Sequence, residues 1–255
     1  MELVSRSRDR SRGVEYRNRF LGSRTLSSKC RDASRREDGP EVNRLGRRPH
    51  LCLITPGDAN PSNFETQKAS ILNTVRSAVA DGVDLVQIRE KSLTAKLLYE
   101  LASEIVRELS DTEALVLIND RPDIAIAAGA HGVHLPENSM SASVVRRAFG
   151  EEIVIGVSTH SLESAIDVSR SGADYLFFGP VFETPGKINP TGVGEFQKVC
   201  ADVGSFPVIA LGGVDAENAE RVFAAGAAGI AAIRSLNETK SRRAICKVAR
   251  LQRST

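Results

Sequence analysis

A run of polar side chains in the first half of the chain could bind a phosphorylated ligand. The run reads Gln87-Ile88-Arg89-Glu90-Lys91. Because successive side chains of an extended strand point to opposite faces, Gln87, Arg89 and Lys91 share one face. An amide, a guanidinium and an ammonium on one face can cradle a diphosphate. The pattern predicts either such a cradle or an exposed basic edge that pairs with Glu90.

A second polar pair follows the next apolar run. Asn119 and Asp120 offer oxygen atoms, which Mg²⁺ prefers as ligands and which it often combines with phosphate oxygens. Asp120 can equally cap a helix that starts at Arg121-Pro122. Taken alone, the pair favours the cap over the metal site.

Two histidines are candidates for proton transfer. His160 follows an apolar run in Ser158-Thr159-His160-Ser161, where it could act as a general acid or base. The alternative is that Ser158 or His160 merely starts a helix over Ser161–Ser171. His134 lies inside an apolar run, which predicts a hydrogen-bonded core histidine.

Three later segments could bind a phosphate. A long Gly/Pro-containing loop, 179–194, predicts a mobile lid that carries Lys187 over the site. Gly212-Gly213 and Arg234-Ser235 follow two further apolar runs, and glycine allows the close approach of backbone N–H groups to a phosphate. We therefore expect two anion-binding pockets. One is lined by cationic side chains, and the other is suited to a monophosphate.

The elements that must position these residues form a regular alternation from His50 onward. Eight short apolar runs alternate with stretches of helical periodicity, which predicts a parallel sheet covered by helices. The predicted strands are Leu51–Thr55, Leu85–Ile88, Leu115–Asn119, Gly132–Leu135, Ile153–Ser158, Tyr175–Gly179, Val208–Leu211 and Gly229–Ile233, and a ninth segment, Glu238–Leu251, closes the chain.

An internal repeat favours closure of this sheet. Gly82, Gly129, Gly172 and Gly226 each precede a small residue and then strand two, four, six or eight, as a helix-ending glycine would. We therefore predict a single (β/α)₈ barrel, a TIM barrel, over residues 49–255, with a doubly wound open sheet as the alternative. In such a barrel the site lies at the carboxyl ends of the strands, where the polar residues collect.

The first 48 residues differ in composition from the rest. They carry thirteen arginines and one lysine against seven acidic residues, which gives a basic tail before a mildly acidic body. Residues 1–48 show no apolar period, so we predict a disordered Arg/Ser-rich extension. A nucleic-acid-binding segment, a transit peptide, a solvated tail and an artefact of the assigned start codon remain alternatives.

The remaining composition limits the protein class. The four cysteines are widely spaced, which argues against a disulfide framework or a zinc site. No apolar run approaches the ~20 residues of a membrane span. We expect a cytoplasmic protein with small-molecule partners and no membrane contact. Nucleic acid is a disfavoured partner, and homo-oligomer formation is left open.

Together the motifs resemble the thiamine phosphate synthase/TenI family over residues 50–250. They occur in the family's order: Leu53-Ile54-Thr55, Val86-Gln87-Ile88-Arg89-Glu90-Lys91, Ile118-Asn119-Asp120-Arg121, Gly132-Val133-His134-Leu135, Gly156-Val157-Ser158-Thr159-His160, Gly179-Pro180-Val181-Phe182 with Lys187, and Gly212-Gly213. In the synthase branch, hydroxymethylpyrimidine diphosphate loses Mg²⁺-bound diphosphate, and the thiazole nitrogen of a thiazole phosphate captures the resulting cation.

The resemblance implies a role for each matched residue. The residues expected to hold the diphosphate are Gln87, Arg89, Lys91, Asn119 and Lys187. Asp120 would bind Mg²⁺, Ser158 would contact the pyrimidine, and Thr184 with Gly213 would hold the thiazole phosphate. These charges would stabilise the departing diphosphate.

Three positions depart from the synthase pattern. Ser139 stands where synthases usually have a second metal-binding Asp, Gly186 replaces a Thr, and Arg234 replaces a common Ser. The first departure, with Phe182-Glu183-Thr184, resembles the TenI branch, whose members isomerise a thiazole carboxylate phosphate without metal. His160 matches the catalytic histidine of that branch.

The diphosphate cradle favours a thiamine phosphate synthase that uses Mg²⁺. A TenI-like thiazole tautomerase that needs no cofactor is the second hypothesis, and a non-catalytic binder of thiamine precursors is the third. The candidate set comprises His160, Arg89, Lys91 and Lys187 as catalytic residues, Gln87, Asn119, Ser158, Thr184, Gly213, Arg234 and Ser235 as substrate-binding residues, and, for the synthase, Asp120 with Ser139 at the metal.

Overall fold

The fold is seen in a computed structural model that describes Leu45, residues 49–184, Gly186 and residues 189–252. Eight parallel strands pair in sequence order and close on themselves, β1 with β8. This confirms the predicted (β/α)₈ barrel and rules out the open sheet. Apart from Leu45, the predicted disordered extension lies outside the described residues.

The strands agree with the predicted ones to within one residue at either end. The only differences are that the first and fifth are shifted by one residue and that the sixth and eighth end one residue earlier. The strands are β1 His50–Ile54, β2 Leu85–Ile88, β3 Leu115–Asn119, β4 Gly132–Leu135, β5 Val154–Thr159, β6 Tyr175–Phe178, β7 Val208–Leu211 and β8 Gly229–Ala232.

Helices follow each strand and cover the outside of the barrel. Within the described residues they are α1 Phe64–Asp81, α2 Ala95–Glu108, α3 Pro122–Ala128, α4 Ala142–Phe149, α5 Leu162–Ser169, α6 Gly192–Val203, α7 Ala219–Ala224, α8 Arg234–Asn237 and α9 Thr239–Gln252. The sequence missed α8, a single turn between β8 and the final helix. No helix in the described ranges is long and apolar enough to cross a membrane.

Two of the four repeated glycines are helix C-caps, as expected, and the other two lie one or two residues after a C-cap. Gly82 and Gly129 are the left-handed C-caps of α1 and α3, with φ of 112° and 70°. Gly172 and Gly226 also have positive φ, at 89° and 97°. A left-handed residue favours glycine because it has no Cβ to clash, so the repeat marks the turns that lead into the even-numbered strands.

Apolar side chains lie on both faces of the strands. One set packs inside the barrel, where Cys52, Leu85 and Leu117 are fully buried. The alternate residues, such as Leu53 and Val86, pack outward against the helices. This double burial explains the continuous apolar runs of the sequence.

Candidate functional site

A cavity of about 1150 Å³ opens at the carboxyl ends of the strands. It is lined by every predicted site residue that the structure describes: Gln87, Arg89, Lys91, Asn119, Asp120, Ser139, Ser158, His160, Thr184, Gly213, Arg234 and Ser235. Lys187, the remaining one, lies outside the described residues. Residues from seven strand ends or the loops after them thus meet at one place.

The cationic side of the cavity carries Arg89 and Lys91. Arg89 is half-buried and Lys91 is exposed. The backbone N–H of Arg89 donates to Thr55 Oγ1 at 2.8 Å, which fixes the chain at the strand end. Within residues 49–184, 186 and 189–252, neither side chain forms a hydrogen bond or an ion pair with another residue. Both charges therefore remain available to an anion.

Glu90 does not pair with this basic edge, so the alternative interpretation of the run was wrong. Its side chain is buried, and its two oxygens accept the backbone N–H groups of Gly57 at 2.9 Å and Ala59 at 2.8 Å. The carboxylate instead fixes the loop between β1 and α1. Sequence alone could not show this, because the partners lie more than thirty residues away.

Gln87 and Asn119 form an amide pair on adjacent strands. Gln87 Nε2 donates to Asn119 Oδ1 at 3.0 Å. The contact leaves the Asn119 amide nitrogen to donate toward the cavity. The buried Gln87 Oε1 has no hydrogen-bond partner among the described residues, although Gln87 lines the cavity. This oxygen can accept a hydrogen bond but cannot bind an ionised phosphate, so the pair suits Gln87 for orienting Asn119.

Asp120 lies beside Ser139, the position at which the resemblance implied a second metal ligand. The Ser139 hydroxyl donates to Asp120 Oδ1. Asp120 does not cap α3, whose N-cap is Arg121. Its left-handed backbone, with φ of 59°, is uncommon for a residue other than glycine. The preference for a helix cap at this position was therefore wrong.

The donor set suits Mg²⁺ only in part. Magnesium is usually held by one or two carboxylates together with substrate phosphates and water. Asp120 and Ser139 supply one carboxylate and one hydroxyl. Across the described part of the chain, no group of three His, Cys, Asp or Glu side chains could hold a metal ion. The residues therefore fit a magnesium ion that shares its coordination with a bound diphosphate.

His160 is exposed at the mouth of the cavity. Its Nδ1–H donates to the carbonyl oxygen of Gly179, and its backbone N–H donates to Glu137 Oε1 at 3.3 Å. Because Nδ1 carries the proton, Nε2 is the ring nitrogen left to act as a base. Neither Ser158 nor His160 starts α5, whose N-cap is Ser161.

His134 is a buried, hydrogen-bonded histidine, as expected. Its Nδ1 lies 3.0 Å from the Tyr175 hydroxyl and its Nε2 lies 2.9 Å from Ser158 Oγ. Burial lowers the pKa of His134 to about 3, so the ring is neutral. It nevertheless lines the floor of the cavity. The imidazole thus connects the barrel core to Ser158.

The opposite side of the cavity is built on glycine. Gly212 and Gly213 have φ of 94° and 66°. A Cβ on Gly213 would lie 2.5 Å from the carbonyl oxygen of Glu183 in the loop after β6. Ser235 Oγ donates to Val214 O at 2.7 Å. Backbone N–H groups and Arg234 are therefore the donors that this side offers to a phosphate.

Acidic residues at the cavity mouth were not predicted. Glu183, Asp215 and Glu238 line the cavity. Their position after the strand ends was the available signal, because that is where barrel sites form. Glu238 accepts from the N–H groups of Lys240 and Ser241, which lower its pKa.

The sequence is similar to thiamine-phosphate synthases. A family model described as thiamine monophosphate synthase matches residues 51–236. A thiamine-phosphate synthase of Chlorobium phaeovibrioides is 37% identical over 74% of this chain and 87% of its own length. A second, of Syntrophomonas wolfei, is 40% identical over 67% of this chain and 82% of its own.

A solved structure agrees with these sequences. The thiamine phosphate pyrophosphorylase of Pyrococcus furiosus superposes with a TM-score of 0.69 at 28% identity. The match covers 80% of this chain and 97% of that one. The resemblance found in the motifs is therefore confirmed across nearly the whole barrel.

Proposed function

The chain belongs to the thiamine monophosphate synthase family, and we propose that it joins hydroxymethylpyrimidine diphosphate to a thiazole phosphate with release of diphosphate. The observation that carries this proposal is the single cavity with two unlike sides. Arg89 and Lys91 offer positive charge on one side, and no residue that the structure describes compensates it. Gly213 and Arg234 offer phosphate donors on the other.

The reaction breaks one bond and makes one. The bond between the pyrimidine methylene carbon and the diphosphate oxygen breaks, and its electron pair leaves with the diphosphate. The lone pair of the thiazole nitrogen then forms the new carbon–nitrogen bond. Negative charge grows on the departing oxygen, so fixed cations aimed at that oxygen lower the barrier.

Each group of site residues binds a different part of the substrates. Arg89, Lys91 and the Asn119 amide hold the diphosphate, with Gln87 orienting Asn119, and Lys187 is proposed to join them. Ser158 holds the pyrimidine ring. Thr184, Gly213, Arg234 and Ser235 form the thiazole-phosphate pocket. With both substrates held in this way, the cavity brings the thiazole nitrogen to the methylene carbon. A reaction between two separate molecules then takes place within one complex.

Asp120 and Ser139 are proposed to hold Mg²⁺ against the diphosphate. When bound, the ion supplies positive charge that offsets the charge of the leaving group. The carboxylate of Asp120 and the hydroxyl of Ser139 are already adjacent. Because one carboxylate binds the ion weakly, we expect metal and diphosphate to bind together.

The test is an endpoint assay with both phosphorylated substrates and Mg²⁺, in which thiamine phosphate and diphosphate are quantified. We expect both products in equal amounts, and their loss in Arg89→Ala. Arg76→Ala is the matched control, because Arg76 is an exposed arginine of α1 bound to Glu108 far from the cavity. No product from folded protein that binds thiazole phosphate would overturn the proposal.

One observation favours a second function. Ser139 replaces the second carboxylate, and the Nδ1 of His160 is bound to Gly179 O, which leaves Nε2 as the basic nitrogen at the cavity mouth. A thiazole tautomerase needs such a base and no metal. If the synthase assay fails, aromatisation of a thiazole carboxylate phosphate, abolished by His160→Gln, would establish this alternative.

A further inference from the structure

We propose that Tyr175 and His134 are positioning residues that hold Ser158 as a hydrogen-bond donor toward a ring nitrogen of the substrate. The inference deepens the proposed function and rests on it for the identity of the substrate. It concerns the direction of one hydrogen bond. That direction follows from the order of protons in a chain of three buried or half-buried groups.

The three groups form a continuous chain from the core to the cavity. Tyr175 and His134 are 0% and 2% exposed, and Ser158 is half-buried at the cavity floor. The Tyr175 hydroxyl lies 3.0 Å from His134 Nδ1. His134 Nε2 lies 2.9 Å from Ser158 Oγ. Both ring nitrogens of His134 are occupied by these contacts, so Ser158 is the member that offers a polar atom to a ligand.

Two packing contacts fix the geometry of this hydrogen-bonded chain. A Cβ on Gly156 would lie 2.0 Å from the Tyr175 ring, so glycine in β5 provides the space that the phenol occupies. The Phe177 ring packs against the His134 ring with centroids 4.0 Å apart. The imidazole is thereby held in one orientation between the phenol and the serine.

Both inner groups are uncharged at neutral pH. Burial lowers the pKa of His134 and raises that of Tyr175 well above its ordinary value. A neutral imidazole carries one proton and has one acceptor nitrogen. Two orders of the protons are then possible along the chain, depending on which ring nitrogen is protonated.

The buried phenol decides between the two orders. Among the residues that the structure describes, His134 Nδ1 is the acceptor within reach of the Tyr175 O–H. If Nδ1 carried the proton, the phenol proton would be buried without an acceptor, which costs about 1–3 kcal/mol. Tyr175 therefore donates to Nδ1, and the Nε2–H of His134 donates to Ser158 Oγ.

Ser158 is left with its own proton to donate. Because its oxygen already accepts from His134, its O–H turns toward the cavity. The complementary ligand atom is an acceptor, such as an unprotonated nitrogen of a pyrimidine ring. A ligand with a C–H at that place leaves the hydroxyl without its acceptor and binds less tightly.

The proton order can be measured directly on the ligand-free full-length chain. Ring ¹⁵N shifts of labelled histidine distinguish the two tautomers, and the His134 signals are assigned by their loss in His134→Gln. We expect the Nε2–H tautomer in the wild type and loss of that strict preference in Tyr175→Phe. A protonated Nδ1 in the wild type would overturn the inference, whether or not the enzyme is a synthase.

The consequence for binding is tested with two probes, hydroxymethylpyrimidine diphosphate and inorganic diphosphate. We expect Tyr175→Phe to weaken binding of the pyrimidine diphosphate about tenfold and to leave inorganic diphosphate unchanged. His134→Gln, whose amide can still donate to Ser158, should bind better than His134→Leu. Equal weakening of both probes would indicate a purely structural role and would overturn the inference.

The same titrations separate this inference from the proposed function. A wild-type protein that binds inorganic diphosphate but not the pyrimidine diphosphate would overturn the proposed function and the ligand assignment together. An unchanged affinity of Tyr175→Phe for the pyrimidine diphosphate would overturn the positioning role alone.

Discussion

Two pairs of basic side chains in this barrel have opposite surroundings. Arg242, which is 1% exposed, donates to Asp81 at 2.9 Å, to Ser77 at 2.8 Å and to Leu236 O at 3.2 Å. Arg146 donates to Asp174 at 2.7 Å and to backbone carbonyls. Arg89 and Lys91 line the cavity and, within the described ranges, have no bound acceptor.

The difference indicates that the first pair stabilises the fold and that the second pair binds a ligand. Arg242 joins the last helix to the first, and Arg146 joins α4 to the start of β6. Their charges are compensated, so they hold the barrel closed and offer nothing to a ligand. Arg89 and Lys91 add little to the packing but keep their charge for an anion. We therefore expect substitutions in the two pairs to affect different measurements.

The largest expected effect is on stability. Arg242→Ala removes the buried partner of Asp81, which then keeps the exposed Arg243, and we expect the free energy of unfolding to fall by about 3 kcal/mol, the lower end for a broken buried pair. Urea denaturation measures the change. Arg243→Ala is the control, because Arg243 contacts the same Asp81 but is 66% exposed, and exposed pairs contribute about 0–1 kcal/mol. Equal losses in both variants would contradict the distinction.

The next effect is on catalysis. Arg89→Ala should lower kcat/KM about 100- to 1000-fold, the size expected when a group that stabilises developing charge is removed. The unfolding free energy should change little, because no described group depends on the Arg89 side chain. A loss of stability comparable to that of Arg242→Ala would show that Arg89 belongs to the structural pair.

A third effect concerns a buried group that carries no charge. The pKa of His134 is about 3 in the folded chain and about 6.5 in the unfolded chain. Below pH 6.5 the unfolded chain takes up a proton that the folded chain does not, so stability is complete above this pH and falls as the pH falls. His131, whose pKa burial also lowers, acts in the same direction.

Between pH 6.5 and 5 this linkage costs about 2 kcal/mol for His134. Urea denaturation at the two pH values measures it above the range in which most carboxylates titrate. His134→Gln should lose most of the dependence. A wild-type stability that is equal at pH 6.5 and pH 5 would contradict the neutral, buried imidazole.

The smallest expected effect is on the affinity for Mg²⁺ at Asp120 and Ser139. Ser139→Asp places a second carboxylate beside Asp120 and should raise the affinity for Mg²⁺ about tenfold without any substrate present. Calorimetry on the ligand-free protein measures this. Ser143→Asp, a neighbouring substitution outside the cavity lining, should leave the affinity unchanged. Equal affinities for the Ser139 variant and the wild type would show that this position does not face the ion.

Most of the fold could be predicted because it depends on local patterns. Strand β7 is a continuous apolar run and β2 is apolar except for Gln87, and the bounds of both were found without error. Helix α8 was missed because four residues are too few for a periodic signal. Many of the cavity-lining residues could be predicted because a barrel places every strand end at one rim, although the acidic residues Glu183, Asp215 and Glu238 were missed.

The contacts within the site could not be predicted because they join distant strands. Glu90 binds a loop, Ser139 binds Asp120, and Tyr175 reaches His134 across the barrel interior. Each contact depends on the register between strands and on the space left by residues such as Gly156. Residue types show that a polar group lies at the rim, but not which residue it hydrogen-bonds.

The most direct test of the account is the binding of inorganic diphosphate with Mg²⁺, measured by calorimetry on three proteins. We predict that the wild type and Arg76→Ala bind it with equal affinity. Arg89→Ala should bind it at least about tenfold more weakly, because one charge-assisted contact is lost. Equal affinity in all three proteins would contradict the claim that the uncompensated charges at the rim form the diphosphate site.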